Sequence, residues 1–183
     1  PEQIGGAERY IFSILEEFKK NPSLKVSLGI SRAASILEIP QEKKVLISGG
    51  TSAKNSDKLL RLMLAQIKSN EIKKFMKKFD VVHFPLTALI PISKDLPEFM
   101  VTVHDVQHLD FPNNFSRSTQ IYRSLYFDQA VKSASKIITL SNFSKQQILR
   151  HFKVDESRIS VIPSGVNLIK FKDRKSTRLN SSH

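Results

Sequence analysis

Apolar side chains recur at Ala7, Tyr10, Ile11, Ile14, Leu15 and Phe18, separated by polar ones. These are the i, i+3, i+4, i+7, i+8 and i+11 places of a helix with one apolar face, so the spacing predicts a helix from Ala7 that packs on another element. Residues 24–30 (LKVSLGI), introduced by the turn signal Asn21-Pro22, read as a strand, and 44–48 (KVLIS) as a second short one. From 54 to 78, Leu59, Leu60, Leu62, Met63, Ile67, Ile72, Phe75 and Met76 alternate with lysines over a length that favours helix, with a break expected near Asn70.

Three short runs dense in β-branched residues follow: 80–84 (DVVHF), 99–105 (FMVTVHD) and 136–141 (KIITLS), each predicted as a buried strand. Between the last two, Ile121, Tyr122, Leu125, Tyr126, Ala130, Val131 and Ala134 keep helical spacing over 118–134. Residues 142–152 (NFSKQQILRHF) form a further predicted helix with Ser141 or Asn142 as its cap, and 158–165 (RISVIPSG) a strand ending at Pro163-Ser164-Gly165. Strands separated by helices cannot be antiparallel hairpin partners. The alternation therefore predicts an α/β fold: a doubly wound, Rossmann-like parallel sheet with right-handed crossovers and helices on both faces. Ligands of such sheets sit beyond the carboxyl ends of the strands, which draws attention to Pro85, His104, Asp105, Ser141 and Pro163.

Composition narrows the picture further. A chain of 183 residues with 40% apolar and 25% charged positions suits one soluble domain, and no stretch approaches the roughly 20 apolar residues of a membrane span. There is no cysteine, hence no disulfide frame and no thiolate metal site, as expected of a reducing compartment such as the cytoplasm. The opening PEQIGGAERY shows no targeting segment. The formal charge of +12 would attract nucleic acid, an anionic membrane surface or a phosphorylated substrate alike. Lys19, Lys20, Lys43, Lys44, Lys73, Lys74, Lys77 and Lys78 are scattered over helix ends and solvent faces, and neither a nucleic-acid motif nor interleaved basic and aromatic residues is present, so no nucleic-acid partner is expected. The polar, aperiodic stretch 172–183 (KDRKSTRLNSSH) is expected to be disordered or extraneous, resembling adapter read-through.

Candidate chemistry concentrates at a few places. Gly5-Gly6 immediately before a helix lets backbone approach an anion at the helix N-terminus, with phosphate or diphosphate the natural ligand; a tight turn into the helix is the competing reading. His104-Asp105 combines a group that shares a proton near neutrality with an adjacent carboxylate, although a histidine there could equally be bonded to a loop carbonyl. His104, His108 and His83 do not have the spacing of a metal site in a strand followed by a loop, so no metal is expected. Without a GxSxG elbow, Ser141 reads as a cap rather than a nucleophile. Arg9, Arg117, Arg123 and Lys145 are of the type that pairs with phosphate oxygens. A dinucleotide-dependent oxidoreductase would need GxGxxG after its first strand, which is absent.

Read in order, GGAERY, DVVHFP, VTVHDVQHLDFPNNFS, KIITLSNFSKQQILRHF and ISVIPSGVNLIKF resemble the N-terminal half of the family 4 retaining glycosyltransferases. VHDVQHLDFP together with Arg123 to Tyr126 resembles the mannosyltransferase-like branch that builds surface polysaccharides. The resemblance implies one half of a two-domain GT-B architecture: 1–165 as the acceptor-side domain lacking its first strand, 166–171 as the start of the interdomain linker, and a missing second domain holding most of the nucleotide-sugar. Ser164 and Asn167 depart from the usual linker residues.

By the same resemblance, His104 and Asp105 match the catalytic loop. Gly5 and Gly6 match the glycine loop facing the donor diphosphate; apart from the resemblance, Arg9, His108 and Ser141 are also expected among the substrate-binding residues. The implied partners are a nucleotide-sugar donor and a glycan or lipid-linked acceptor, with no cofactor, an inactive isolated fragment, and contact with the anionic inner face of the membrane. A fragment deprived of a central strand would be marginally stable. The competing reading is a non-catalytic α/β module binding an anion, a nucleotide or nucleic acid.

Overall fold

The computed structural model describes residues 6–30, 44–46, 69–89 and 95–165. Helix α1 spans Gly6–Lys20, ending on Lys19 and Lys20, whose charges suit the negative end of a helix dipole. Strands β1 (Leu28–Ile30) and β2 (Lys44–Leu46) pair in parallel with Leu28 opposite Lys44. Helix α2 covers Ser69–Met76. Asn70 lies in its first turn, and the stretch before Ser69, where the expected break would show, is outside the described residues. Buried Ile72 and Met76, four apart, seat this turn on Val82, Phe84 and Leu96 and outweigh the weak helix preference of asparagine. Of the helix expected over 54–78, residues 54–68 lie outside the described residues and Lys77 and Lys78 form a turn; the remainder of 44–48, Gly5 and the stretch 166–183 also lie outside.

The main sheet has four parallel strands in sequential order: β3 (His83–Phe84), β4 (Met100–Val103), β5 (Lys136–Thr139) and β6 (Ile159–Val161). Short helix α3 (Gln107–Asp110) follows β4. Helix α4 (Arg117–Arg123) continues through a π-turn (Ser124–Asp128) into α5 (Gln129–Ser133) before β5. Helix α6 (Asn142–His151) links β5 to β6.

Register decides which residues share a face. Val101 lies opposite Ile137 and Val103 opposite Thr139. Since side chains alternate along a strand, these four form one face and Thr102 belongs to the other. The first face meets Ala130, Val131, Ala134, Ile148 and Phe152, the inward residues of α5, the turn after it, and α6 with its last turn. Val101, Val103, Ile137 and Ile148 are fully buried there, each stabilising the fold by about 1.5–3 kcal/mol relative to exposure. The opposite face receives α1, whose Tyr10 hydroxyl is 3.1 Å from Thr102 Oγ1. Helices thus cover both faces, which is the α/β, doubly wound, Rossmann-like arrangement expected from the alternation.

The observed strands are shorter than the runs that predict them, most clearly at 80–84 and 24–30. Only His83 and Phe84 of 80–84 form β3, with the Val82 carbonyl accepting from the Met100 N–H at 2.8 Å, while Val81 is 62% exposed. Of 24–30, only the last three residues pair. No helix among the described residues is long and apolar enough to cross a membrane.

Candidate functional site

Because the strands are parallel, Pro85 after β3, His104 and Asp105 after β4, and Ser141 after β5 all lie at the same end of the sheet. His104 Nε2 is 2.9 Å from the Pro85 carbonyl oxygen. A carbonyl only accepts, so Nε2–H is the donor and Nδ1 is left with its lone pair in the neutral ring. The ring of Tyr10 meets that of His104 edge-on, centroids 5.1 Å apart at 88°, which locks the imidazole plane from the α1 side.

Behind it lies a buried polar knot. Thr102, fully buried, has its Oγ1 2.8 Å from His83 Nε2 and 3.1 Å from the Tyr10 hydroxyl, while the Thr87 hydroxyl donates to the Thr102 carbonyl at 3.0 Å. Burial disfavours the charged imidazole and holds the pKa of His83 below its ordinary value. Helix α1 and strands β3 and β4 are thereby joined directly beneath His104.

Asp105 Oδ1 accepts from the Gln107 backbone N–H at 3.1 Å and faces Arg123 Nη1 at 3.4 Å. The Arg123 guanidinium stacks over Phe115 (4.5 Å) and Phe127 (5.2 Å), so its position is fixed before it meets the carboxylate. The second carboxylate oxygen has no partner among the described residues, and the side chain is 44% exposed. With the ring neutral, His104 Nδ1 and Asp105 Oδ2 are thus two hydrogen-bond acceptors on adjacent residues at the sheet end that have no partner among the described residues. Both suit a ligand rich in hydroxyl groups.

The other expected site residues are distributed differently. His108 is buried, its Nε2 3.2 Å from Asp128 Oδ1 and its ring edge-on to Phe127, so it faces the helix rather than the surface. Ser141 caps α6, its Oγ accepting from the Ser144 N–H at 3.1 Å, which is the capping role read from the sequence. Gly6 is exposed at the start of α1, and a methyl group there would meet nothing within 4 Å, so packing within the described chain does not require a glycine. Arg9 is exposed on the same helix. Among the described residues no three His, Cys, Asp or Glu side chains converge to hold a metal.

Tyr10, Thr102 and Asp128 escaped sequence reasoning as site components, and His83 was weighed only as a metal ligand. Tyr10 and Thr102 are 92 positions apart, and His83 and Thr102 are 19 apart. The available signal was the alternation in 99–105, which places Thr102 on the face opposite Val101 and Val103.

A parallel α/β sheet with polar groups gathered at the carboxyl ends of its strands defines a Rossmann-like ligand-binding domain. The chain belongs to glycosyltransferase family 4, whose sequence pattern matches residues 4–170. It is also similar to the O-antigen chain mannosyltransferase RfbU of Salmonella typhimurium, with 31% identity over 75 residues, 41% of this chain and 21% of that protein. The chain thus matches about a fifth of the length of this curated relative.

Proposed function

We propose that this chain is the acceptor-side domain of a retaining GT-B glycosyltransferase that moves a hexose, mannose-like in class, from a nucleotide-diphosphate sugar to a glycan or lipid-linked acceptor. The observation that carries the reading is the pair of free acceptors, His104 Nδ1 and Asp105 Oδ2, at the carboxyl end of β4 in a family 4 chain. Similarity to an O-antigen chain mannosyltransferase supports the hexose class and a role in polysaccharide biosynthesis.

In this reading His104 and Asp105 contact the transferred sugar, whose oxocarbenium-like centre is stabilised by close polar groups. Gly5, Gly6 and Arg9 face the leaving diphosphate at the α1 N-terminus, where backbone N–H groups and the dipole favour negative charge. This chemistry has no intrinsic need of a metal or cofactor. Most of the donor nucleotide falls to a second domain, so the isolated chain is inactive. The formal charge of +12 suits peripheral contact with anionic lipid at the cytoplasmic face; sedimentation with anionic but not neutral liposomes, lost at high salt, is the expected behaviour.

The functional test is transfer of labelled hexose from a panel of nucleotide-diphosphate hexoses by the enzyme that carries this domain. Retained anomeric configuration and a fall in kcat of about 100-fold or more in His104→Ala are expected, the size seen when one transition-state contact is removed. Inverted product, or turnover indifferent to His104, would reject the proposal, and transfer by the 183-residue chain alone would reject its dependence on a second domain.

A further inference from the structure

The helix after β4 contains a turn that its sequence does not announce. Between α4 and α5, Ser124–Asp128 winds as a π-turn, wider by about one residue than the surrounding α-helix. In a regular α-helix, residues 123 and 128 would point about 140° apart around the axis. Here both reach the segment that follows β4: Arg123 to Asp105 (3.4 Å) and Asp128 to His108 (3.2 Å).

Phe127 lies between them, beneath the Arg123 guanidinium and edge-on to the His108 ring. The Tyr126 carbonyl accepts the backbone N–H of the fully buried Leu89 at 3.1 Å, a bond from outside the helix that anchors the widened turn in the loop after β3. The same loop region supplies the Pro85 carbonyl to His104. The π-turn therefore contacts both segments that flank the imidazole, and a side chain at each end of it, Arg123 just before and Asp128 as its last residue, grips the 105–108 stretch.

We propose that Arg123 and Asp128 are positioning residues, set on one side of the helix by the π-turn, that hold residues 104–108 so that His104 presents Nδ1 and Asp105 presents Oδ2 to a hydroxyl-bearing ligand. The inference rests on the reading of His104 and Asp105 as the sugar-facing pair. Arg123 acts through Asp105, whose Oδ1 it occupies together with the Gln107 N–H, and this directs Oδ2 outward. Asp128 acts through His108 and sets the inner side of the short helix α3. Neither residue needs to touch the ligand.

The test is the tautomer of His104, read from two-bond 1H–15N spectra of the full 183-residue chain labelled at histidine. In the unmodified chain the Nε2–H form should dominate. Arg123→Gln and the isosteric Asp128→Asn should each raise the share of the Nδ1–H form about fivefold, the factor that corresponds to losing the net worth of one hydrogen bond. Ser116→Ala removes the cap of the same helix, where Ser116 Oγ accepts from the Thr119 N–H at 3.3 Å, and should lower the Tm while leaving the His104 signals in place. Should Arg123→Gln not fold, Asp128→Asn decides. If the variants lower the Tm as Ser116→Ala does and leave the His104 tautomer unchanged, the positioning role is wrong. Saturation transfer to a methyl hexoside, measured separately, distinguishes the failures: a tautomer shift without glycoside binding supports the positioning role and rejects only the functional reading on which it was built.

Discussion

At the scale of single residues, the site is supported by groups whose ionisation is tied to burial. His83 is kept neutral by desolvation, its pKa held below the ordinary 6.5. As pH falls below that value the unfolded chain takes up a proton that the folded chain refuses, so folded stability decreases until pH passes the depressed native value. Urea titrations between pH 7.5 and 5 should show this loss, and His83→Gln should flatten it; equal slopes in the two proteins would remove burial of His83 as the cause. Ser141→Ala deletes the α6 cap and should cost about 1 kcal/mol in the same titrations, with Ser141→Thr recovering most of it. The cap was legible because its partner, Ser144, lies three residues away on the same helix. His104 and Asp105 were legible as a strand-end pair, and both readings of His104 turn out to be compatible: one ring nitrogen is bonded to a loop carbonyl and the other is free. The support from Tyr10, Thr102 and His83 was hidden, because it is created by strand pairing and helix docking between segments far apart in the chain. The inward placement of His108 was not legible: a helical turn at 107–110 directs it to Asp128.

At the scale of elements, periodicity located the helix over 118–134 to within a residue at each end and said nothing of its π-turn. Hydrophobic spacing averages over several turns, so one inserted residue leaves the pattern readable. What sustains that turn is tertiary: the Leu89 N–H, Asp105 and His108. The C-terminal end of the same helix is closed from a distance by Arg158, which donates from Nη2 to the carbonyls of Val131 (3.1 Å), Lys132 (3.2 Å) and Ala134. Three carbonyls at a negative helix end are well matched to a guanidinium. Arg158→Ala should cost about 1–3 kcal/mol in denaturant midpoints, since it strands acceptors that are partly buried. Arg158→Lys should fall between, because one ammonium keeps the charge and loses the planar fork; a loss as small as that of an exposed lysine would show that the carbonyls find water instead. Parallel pairing followed from the alternation of elements, whereas strand length did not: the apolar runs at 80–84 and 24–30 extend past the paired residues.

For the whole molecule, the face formed by Val101, Val103 and Ile137 with Ala130, Val131 and Ile148 is the centre of cohesion. Ile148→Ala, removing most of a fully buried side chain, should destabilise by about 2–5 kcal/mol, read from denaturant midpoints. Fold class was legible, and parallel topology then gathers Pro85, His104 and Ser141 at one end of the sheet. Net charge was uninformative about the ligand, as it attracts every anion alike. The central claim is that the free acceptors of His104 and Asp105 form a sugar-facing site. Saturation-transfer NMR of the chain with methyl α-mannoside addresses it directly. The account expects magnetisation transfer to the glycoside in the unmodified chain and a loss of affinity of about tenfold in His104→Ala and in Asp105→Asn, the equivalent of about 1.4 kcal/mol each. Glycoside binding that survives both substitutions, or that is absent from a chain shown to be folded, would contradict it.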